Sequence, residues 1–227
     1  MRVLAACEES GEVRDTFIRA GHDAVSCDLL PSARPGPHIQ GDVTVLDLSV
    51  YDLVIAFPPC TYLSVSGNRW HAGTERREEA LALVQFFLDA PVERVAVENP
   101  IGVISSRIRK PDQIVQPYMF GHRESKATCL WLRGLPLLQP TCRVEPQWYG
   151  CCNIRFDFAL GKHGCPNCNG TRTARPVFDN QTPTGQNKIG PSETRARDRA
   201  RTYPGLALAM ASQWGALPPD APTNEEE

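Results

Sequence analysis

The chain has 227 residues, 41% hydrophobic and 22% charged, which suits one soluble α/β domain with a small insertion or appendage. It contains no apolar run of about 18 residues, so no membrane span is expected, and its first residues read as a strand rather than a secretion signal. The net charge of −2 hides an asymmetry: −7 over residues 1–100, +9 over 101–201 and −4 over the tail. A basic second half can meet phosphates, although uneven surface charge alone gives the same count. Nine cysteines without a secretion signal point to reduced thiols, metal ligands or catalysis rather than a disulfide frame. The sequons at Asn169 and Asn180 are therefore read as chance matches, and a cytosolic location is the expectation.

Residues 3–6 predict a first strand, ending in the polar turn Cys7-Glu8-Glu9-Ser10-Gly11. A helix follows over 12–20, with Val13, Phe17 and Ala20 on its buried face and Gly21 as its C-cap. Residues 23–27 predict a second strand with Asp28 at its carboxyl end. The stretch 31–37 is a Pro- and Gly-rich loop, and 38–40 a short strand closed by Gly41-Asp42. Residues 52–57 form a strong strand running into Pro58-Pro59-Cys60. Over 74–90 the spacing of Ala80, Leu81, Val84, Phe87 and Leu88 gives an amphipathic helix. Residues 94–97 predict another strand, ending in Glu98-Asn99-Pro100. This alternation is the signature of a doubly wound parallel sheet, whose ligands bind outside the carboxyl ends of the strands. Residues 134–190 are rich in Gly, Pro, Asn and Cys and read as a small irregular subdomain. Residues 193–201 are polar and arginine-rich, 206–214 resume a helical pattern, and 218–227 form a Pro-rich acidic tail expected to be disordered.

A cysteine after two prolines at a strand end sits on a stiff loop, which suits a nucleophile that must be aimed before it reacts. A buried structural thiol would leave the same trace. Glu98, at the end of the next strong strand, must be paired or functional, because glutamate is seldom buried alone.

With these two motifs in this order, the chain resembles the DNA cytosine C5-methyltransferase family in its short, divergent, phage-type form. Pro59-Cys60 and Glu98-Asn99 match the family's nucleophile and Glu-Asn motifs. The segment from Gln116 through Tyr118, Gly121 and Lys126 to Trp131 looks like a later basic motif. Pro191 to Gly215, with Arg195, Arg199, Tyr203-Pro204-Gly205 and Ala209-Met210-Ala211, resembles the C-terminal motifs. The chain departs from the family at four places. The Phe-x-Gly-x-Gly turn is Cys7-Glu8-Glu9-Ser10-Gly11, Thr61 follows the nucleophile in place of Gln, Glu-Asn-Val is Glu98-Asn99-Pro100, and paired arginines are replaced by Lys126 and Thr128.

The resemblance implies a Rossmann-like S-adenosylmethionine-dependent methyltransferase with domains at 1–133 (catalytic core), 134–190 (target recognition), 191–217 (rest of the core) and 218–227 (tail). It implies that Cys60 adds to C6 of a cytosine flipped out of double-stranded DNA, at a cost of roughly a few kcal/mol. Glu98 holds N3 and the exocyclic amine, and Asn99, the second residue of the Glu-Asn motif, is counted with Cys60 and Glu98 as catalytic. Implied cofactor contacts are Cys7, Glu8, Ser10, Gly11, Asp28, Leu29, Asp42 and Pro58. Among them Asp28 meets the ribose, Asp42 the adenine amine, and Ser10 and Gly11 the methionine end. Arg123, Lys126, Thr128, Arg155 and Arg172 are the implied substrate contacts. A monomer in the cytosol, the host's if phage-encoded, is expected.

Cys165-Pro-Asn-Cys168 is a CxxC knuckle that can share a structural Zn²⁺ with Cys151, Cys152 or His163, Cys142 being a further candidate. Small buried or redox-active thiols are the alternative. The insertion is about 55 residues long, which suggests a short recognition sequence. A related transfer that uses a modified cofactor or acts on free nucleotides stays open, and two rival readings stand beside it. One is an amino-methyltransferase acting on adenine N6 or cytosine N4, which shares the Pro58-Pro59 pair. The other is a zinc-containing DNA-binding protein on an inactive scaffold, which would need no nucleophile.

Overall fold

The computed structural model describes residues 1–65, 71–149, 155–156, 175–182, 188 and 201–216. The described residues fall into two compact units. One takes in the described residues of Met1–Val115, Ala127–Gln139 and Ala200–Glu227, the other those of Gln116–Lys126 and Pro140–Arg199.

The first unit is an α/β, Rossmann-like domain. Its elements in chain order are β1 (Arg2–Ala6), α1 (Glu12–Arg19), β2 (Asp23–Asp28), β3 (His38–Gln40), β4 (Leu53–Ala56), α2 (Glu75–Leu88), β5 (Arg94–Pro100), α3 (Ile104–Arg107), β6 (Gln113–Val115), β7 (Thr128–Arg133) and, C-terminally, α4 (Pro204–Trp214). The seven strands lie in the order β3-β2-β1-β4-β5-β7-β6. The first five pair in parallel, with β1 central. β7 runs antiparallel to both β5 and β6.

Both faces of the sheet are covered, so the central strands are apolar at every position rather than alternating. Leu4, Ala6, Val54, Ala56, Val95 and Val97 share a core with Leu81, Val84 and Phe87 of α2. The intervening residues Val3, Ala5, Leu53, Ile55 and Ala96 are equally buried and face the other way, since side chains alternate along a strand. On that side α1 packs with β1, β2 and α4, burying Val13 and Phe17 while Ala20, expected inward, is exposed. Arg133 closes the far end of α2, its guanidinium donating to the carbonyls of Leu88, Ala90 and Val92. Cations favour helix C-termini because the last carbonyls lack backbone partners.

Local pattern predicts no strand between residues 98 and 133, where 116–131 reads as one motif. Instead, Gln116–Lys126 belongs to the second unit and Thr128–Arg133 is a buried strand of the first. The run Thr-Cys-Leu-Trp-Leu-Arg is β-prone, and Trp131 anchors it, donating from Nε1 to the Arg109 carbonyl at 2.9 Å.

The second unit contains a three-stranded antiparallel sheet in the order β10-β8-β9, formed by Gln147–Tyr149 (β8), Arg155–Phe156 (β9) and Arg175–Val177 (β10). No helix among the described residues is long and apolar enough to cross a membrane.

Candidate active site

The carboxyl ends of β4 and β5 lie side by side, Ala56 opposite Val97. Beyond Ala56 the chain enters Pro58-Pro59-Cys60, while β5 continues through Glu98 and Asn99. Asn99, 1% exposed, donates from Nδ2 to the buried Pro58 carbonyl at 2.7 Å. A proline-rich turn has few donors of its own, so this side chain holds it to the neighbouring strand. The Asn99 Oδ1 is buried without a partner among the described residues.

The turn then folds back on itself. The Cys60 carbonyl accepts from the backbone of Leu63 at 3.1 Å and Ser64 at 2.9 Å. Val65 donates to Ile101 at 3.2 Å and Val103 to Leu63 at 2.8 Å, so the loops following β4 and β5 are stitched together. Gly102 permits the approach, since a Cβ there would stand 2.0 Å from the Leu63 carbonyl oxygen. Cys60 and Glu98 are both half-buried. Glu98 also acts on Cys129, which lies opposite Asn99 in the β5–β7 register. Burial first, and then the Glu98 charge, push the Cys129 thiol up to about 11, so it stays protonated at neutral pH. Cys129 was not singled out from sequence, where only an apolar run marks it.

On the other side of β4, β1 leads into the turn Cys7–Gly11. Cys7 and Gly11 take left-handed backbone conformations, φ 56° and 72°, which glycine adopts freely and cysteine does not. Backbone bonds from Glu8 to Cys27 (3.1 Å) and from Phe57 to Ala6 (2.9 Å) fix the turn between its neighbours. Glu8 is turned inward, 4% exposed. Its Oε1 accepts the Ser10 hydroxyl and the Glu12 amide, the latter at 2.8 Å, at the start of α1. Its Oε2 has no partner among the described residues, and burial raises its pKa.

Arg14, which sequence reasoning did not single out, organises the adjoining loop. Its guanidinium is completely buried. It donates to the Ser26 and Ser32 hydroxyls at 3.2 and 3.0 Å and to the Arg34 and Pro35 carbonyls at 3.3 and 3.1 Å, and it meets Asp15 at 2.8 Å. Gly11 and Gly36 press against it, since a Cβ at either would fall within 2.5 or 2.8 Å of the group.

At the end of β2, Asp28 Oδ1 accepts from the Leu30 amide at 2.9 Å, and Leu29 beside it is 72% exposed. Asp42 caps a short 3-10 turn, its Oδ1 taking the Thr44 amide at 2.9 Å and hydroxyl at 2.8 Å, and these bonds lower its pKa. Burial, then the charges of Asp28, Cys27 and Asp42, push the Cys7 thiol up to about 12. Cys7, Asp28 and Asp42 therefore form one neighbourhood, and Cys60, Glu98 and Asn99 a second. β1 lies between β2 and β4, so the two groups occupy the same edge of the sheet.

The remaining sequence candidates are dispersed. Thr128 is 3% exposed, opposite Pro100 and Val115 in the sheet. Arg123 and Lys126 belong to the second unit. There the Arg123 carbonyl accepts from Asp179 at 2.8 Å, and the Lys126 amide donates to Gln116 at 2.9 Å. Arg155 lies in β9. Arg172, Cys151, Cys152, His163, Cys165 and Cys168 lie outside the described residues. Among the described residues no group of His, Cys, Asp and Glu is arranged to hold a metal ion.

No family model matches the chain, and no curated protein matches it significantly. Solved structures with a similar fold include a protein described as a DNA modification methyltransferase encoded within an E. coli prophage (15% identity, TM-score 0.42, covering 63% of this chain and 52% of that one). Dnmt2 methyltransferase from S. pombe matches at 16% identity and TM-score 0.40, over 60% of this chain and 50% of that one. The Entamoeba histolytica methyltransferase EhMeth matches at 12% identity and TM-score 0.45, over 64% and 58%. The aligned part of this chain spans between 50% and 58% of the length of these structures. What the site does must be read from its own residues.

Proposed function

We propose that this chain transfers a methyl group from S-adenosylmethionine to carbon 5 of a cytosine in DNA, with Cys60 as nucleophile. The observation that carries this reading is the tether between the two motifs. Cys60 and Glu98 emerge from adjacent parallel strands, and Asn99 binds the turn that carries the nucleophile.

The chemistry needs this pairing. Cytosine C5 is a weak nucleophile. A Cys60 thiolate forming a bond to C6 pushes electron density onto C5, and Glu98 beside N3 and the exocyclic amine keeps the proton at N3 that stabilises the resulting ring. Once C5 has been methylated, a general base takes its proton as the Cys60–C6 bond breaks, and N3 gives up its extra proton to the Glu98 carboxylate, regenerating the thiolate and the neutral aromatic ring. Asn99 acts through Pro58 and keeps the thiolate aimed, since small misplacements of reacting atoms are costly. A base inside a duplex is out of reach, so the target must leave the stack.

The residues beside this pair fit the methyl donor. Asp28 keeps one carboxylate oxygen without a partner among the described residues while Leu30 holds the other, which suits a ribose diol, and the exposed Leu29 offers an apolar face to a purine. S-adenosylmethionine bound there supplies an electrophilic methyl group. Zinc in the Cys165–Cys168 segment, with Cys151, Cys152 or His163, remains part of the proposal as a structural ion for the insertion.

DNA containing 5-fluorocytosine tests the reading, because fluorine blocks the final loss from C5. With S-adenosylmethionine present, the protein should form a stable covalent adduct, and peptide mass spectrometry should place it on Cys60. An adduct at another cysteine, or none under conditions where the unfluorinated DNA is methylated, would refute this mechanism.

A further inference from the structure

The second unit holds a cleft that the methyl-transfer reading does not use. It has a volume of about 440 Å³ and is lined by Tyr118, Arg143, Val144, Glu145, Pro146, Pro176 and Phe178, within the range of small-molecule sites. One wall is a rigid aromatic pair. Tyr118 stacks on Phe178 with ring centres 4.8 Å apart and planes 11° from parallel. The backbone amide of Val144 donates to the Tyr118 carbonyl at 2.8 Å, so the segment carrying Arg143 and Glu145 is fixed to the turn carrying Tyr118. Pro146 and Pro176 add flat walls without N–H donors.

Arg143 and Glu145 lie two residues apart in a stretch without regular secondary structure, and both are exposed. Neither has a hydrogen-bond or ion-pair partner among the described residues. They bring a forked pair of donors and a pair of acceptors to an aromatic, proline-walled slot. A flat ligand with two acceptors on one edge and two donor nitrogens on the next would satisfy both. Among the nucleobases only guanine has that pattern. O6 and N7 accept from a guanidinium, and N1 and the exocyclic N2 donate to a carboxylate. Adenine would turn its amino group toward Arg143, and thymine has a single N–H.

We propose that this cleft binds a guanine base presented edge-on to Arg143 and Glu145 and stacked against the Tyr118–Phe178 wall. A guanine within an unpaired DNA strand and a free guanine nucleotide share this chemistry. The strand form would make the second unit a reader of sequence context, deepening the proposed function. The binding itself does not rest on methyl transfer.

Equilibrium binding by the full chain, without a methyl donor, tests the proposal. The probes are dGMP, dAMP and dCMP, and thymine-run oligonucleotides with or without one guanine. A preference for guanine of about tenfold or more is expected. Preference confined to the oligonucleotide identifies a strand as the source, and preference among the mononucleotides identifies a free nucleotide. Glu145→Gln, at an exposed position that should fold normally, removes one acceptor and should erase most of the preference. Equal affinity for all bases in both formats, or a preference unchanged by Glu145→Gln, would overturn the assignment. Methylation of DNA by a chain without guanine preference would refute this site and leave the methyl-transfer reading intact.

Discussion

Replacing Asn99 with aspartate isolates the tether between the two strand ends. The side chain keeps its shape, but the Nδ2 that donates to the Pro58 carbonyl at 2.7 Å becomes an oxygen. Asn99 is 1% exposed, so the introduced carboxyl has two options. Protonated, it can donate to Pro58 and restore the bond. Ionised, it faces a carbonyl oxygen and brings a buried charge beside Glu98. Its folded pKa must therefore rise above the unfolded value of about 3.9. Stability is then preserved below that value and lost as pH rises toward the folded pKa, at about 1.4 kcal/mol for each unit. At pH 5 the loss should be about 1–2 kcal/mol, and at pH 8 roughly 3 kcal/mol or more, approaching the cost of an unpaired buried charge. Urea unfolding of both proteins at the two pH values measures this, with the wild-type pH dependence subtracted. A loss that is the same at both pH values, or below about 0.5 kcal/mol throughout, would refute the tether.

Gly102→Ala puts a methyl 2.0 Å from the Leu63 carbonyl oxygen, and the stitched loops must separate. A loss of about 1–3 kcal/mol is expected, and an unchanged melting temperature would contradict it. Burial raises the Glu8 carboxyl above its ordinary value of 4.5. Its contribution to stability is complete below that value and lost as pH rises through the folded pKa. Glu8→Gln should thus gain stability relative to the wild type between pH 5 and 8, and parallel stability curves would contradict the assignment. The Cys7 thiol, pushed up to about 12, should resist iodoacetamide at pH 8 while the exposed Cys142 reacts. Equal labelling of both in peptide mass spectra would be inconsistent with a half-buried, protonated Cys7.

The parallel half of the sheet was legible because each strand is a short apolar run bounded by turn residues. His38–Gln40, flanked by a Pro-Gly loop and Gly41, was found at its observed bounds. The antiparallel end was not legible. Thr128–Arg133 is buried on both sides and has no period, and its direction is set by pairing with β5, Val97 opposite Trp131. Arg14 was missed for a related reason. On a helix it reads as a surface charge, and only partners 12 to 21 residues away show why it is buried. Asn99 was picked beside Glu98, but its bond to Pro58, 41 residues earlier, depends on strand order, which local pattern does not encode. The backbone at Cys7 was illegible too, because a non-glycine residue at φ 56° leaves no compositional trace.

The most direct test of the central claim is to incubate the protein with DNA and methyl-labelled S-adenosylmethionine, beside a Cys60→Ala variant, and to identify the modified nucleoside by mass spectrometry. The account predicts labelled 5-methylcytosine that is lost with Cys60→Ala. Labelled N4-methylcytosine or N6-methyladenine, with Cys60→Ala still active, would contradict it and make Cys60 a structural residue of the Pro58-Pro59 turn.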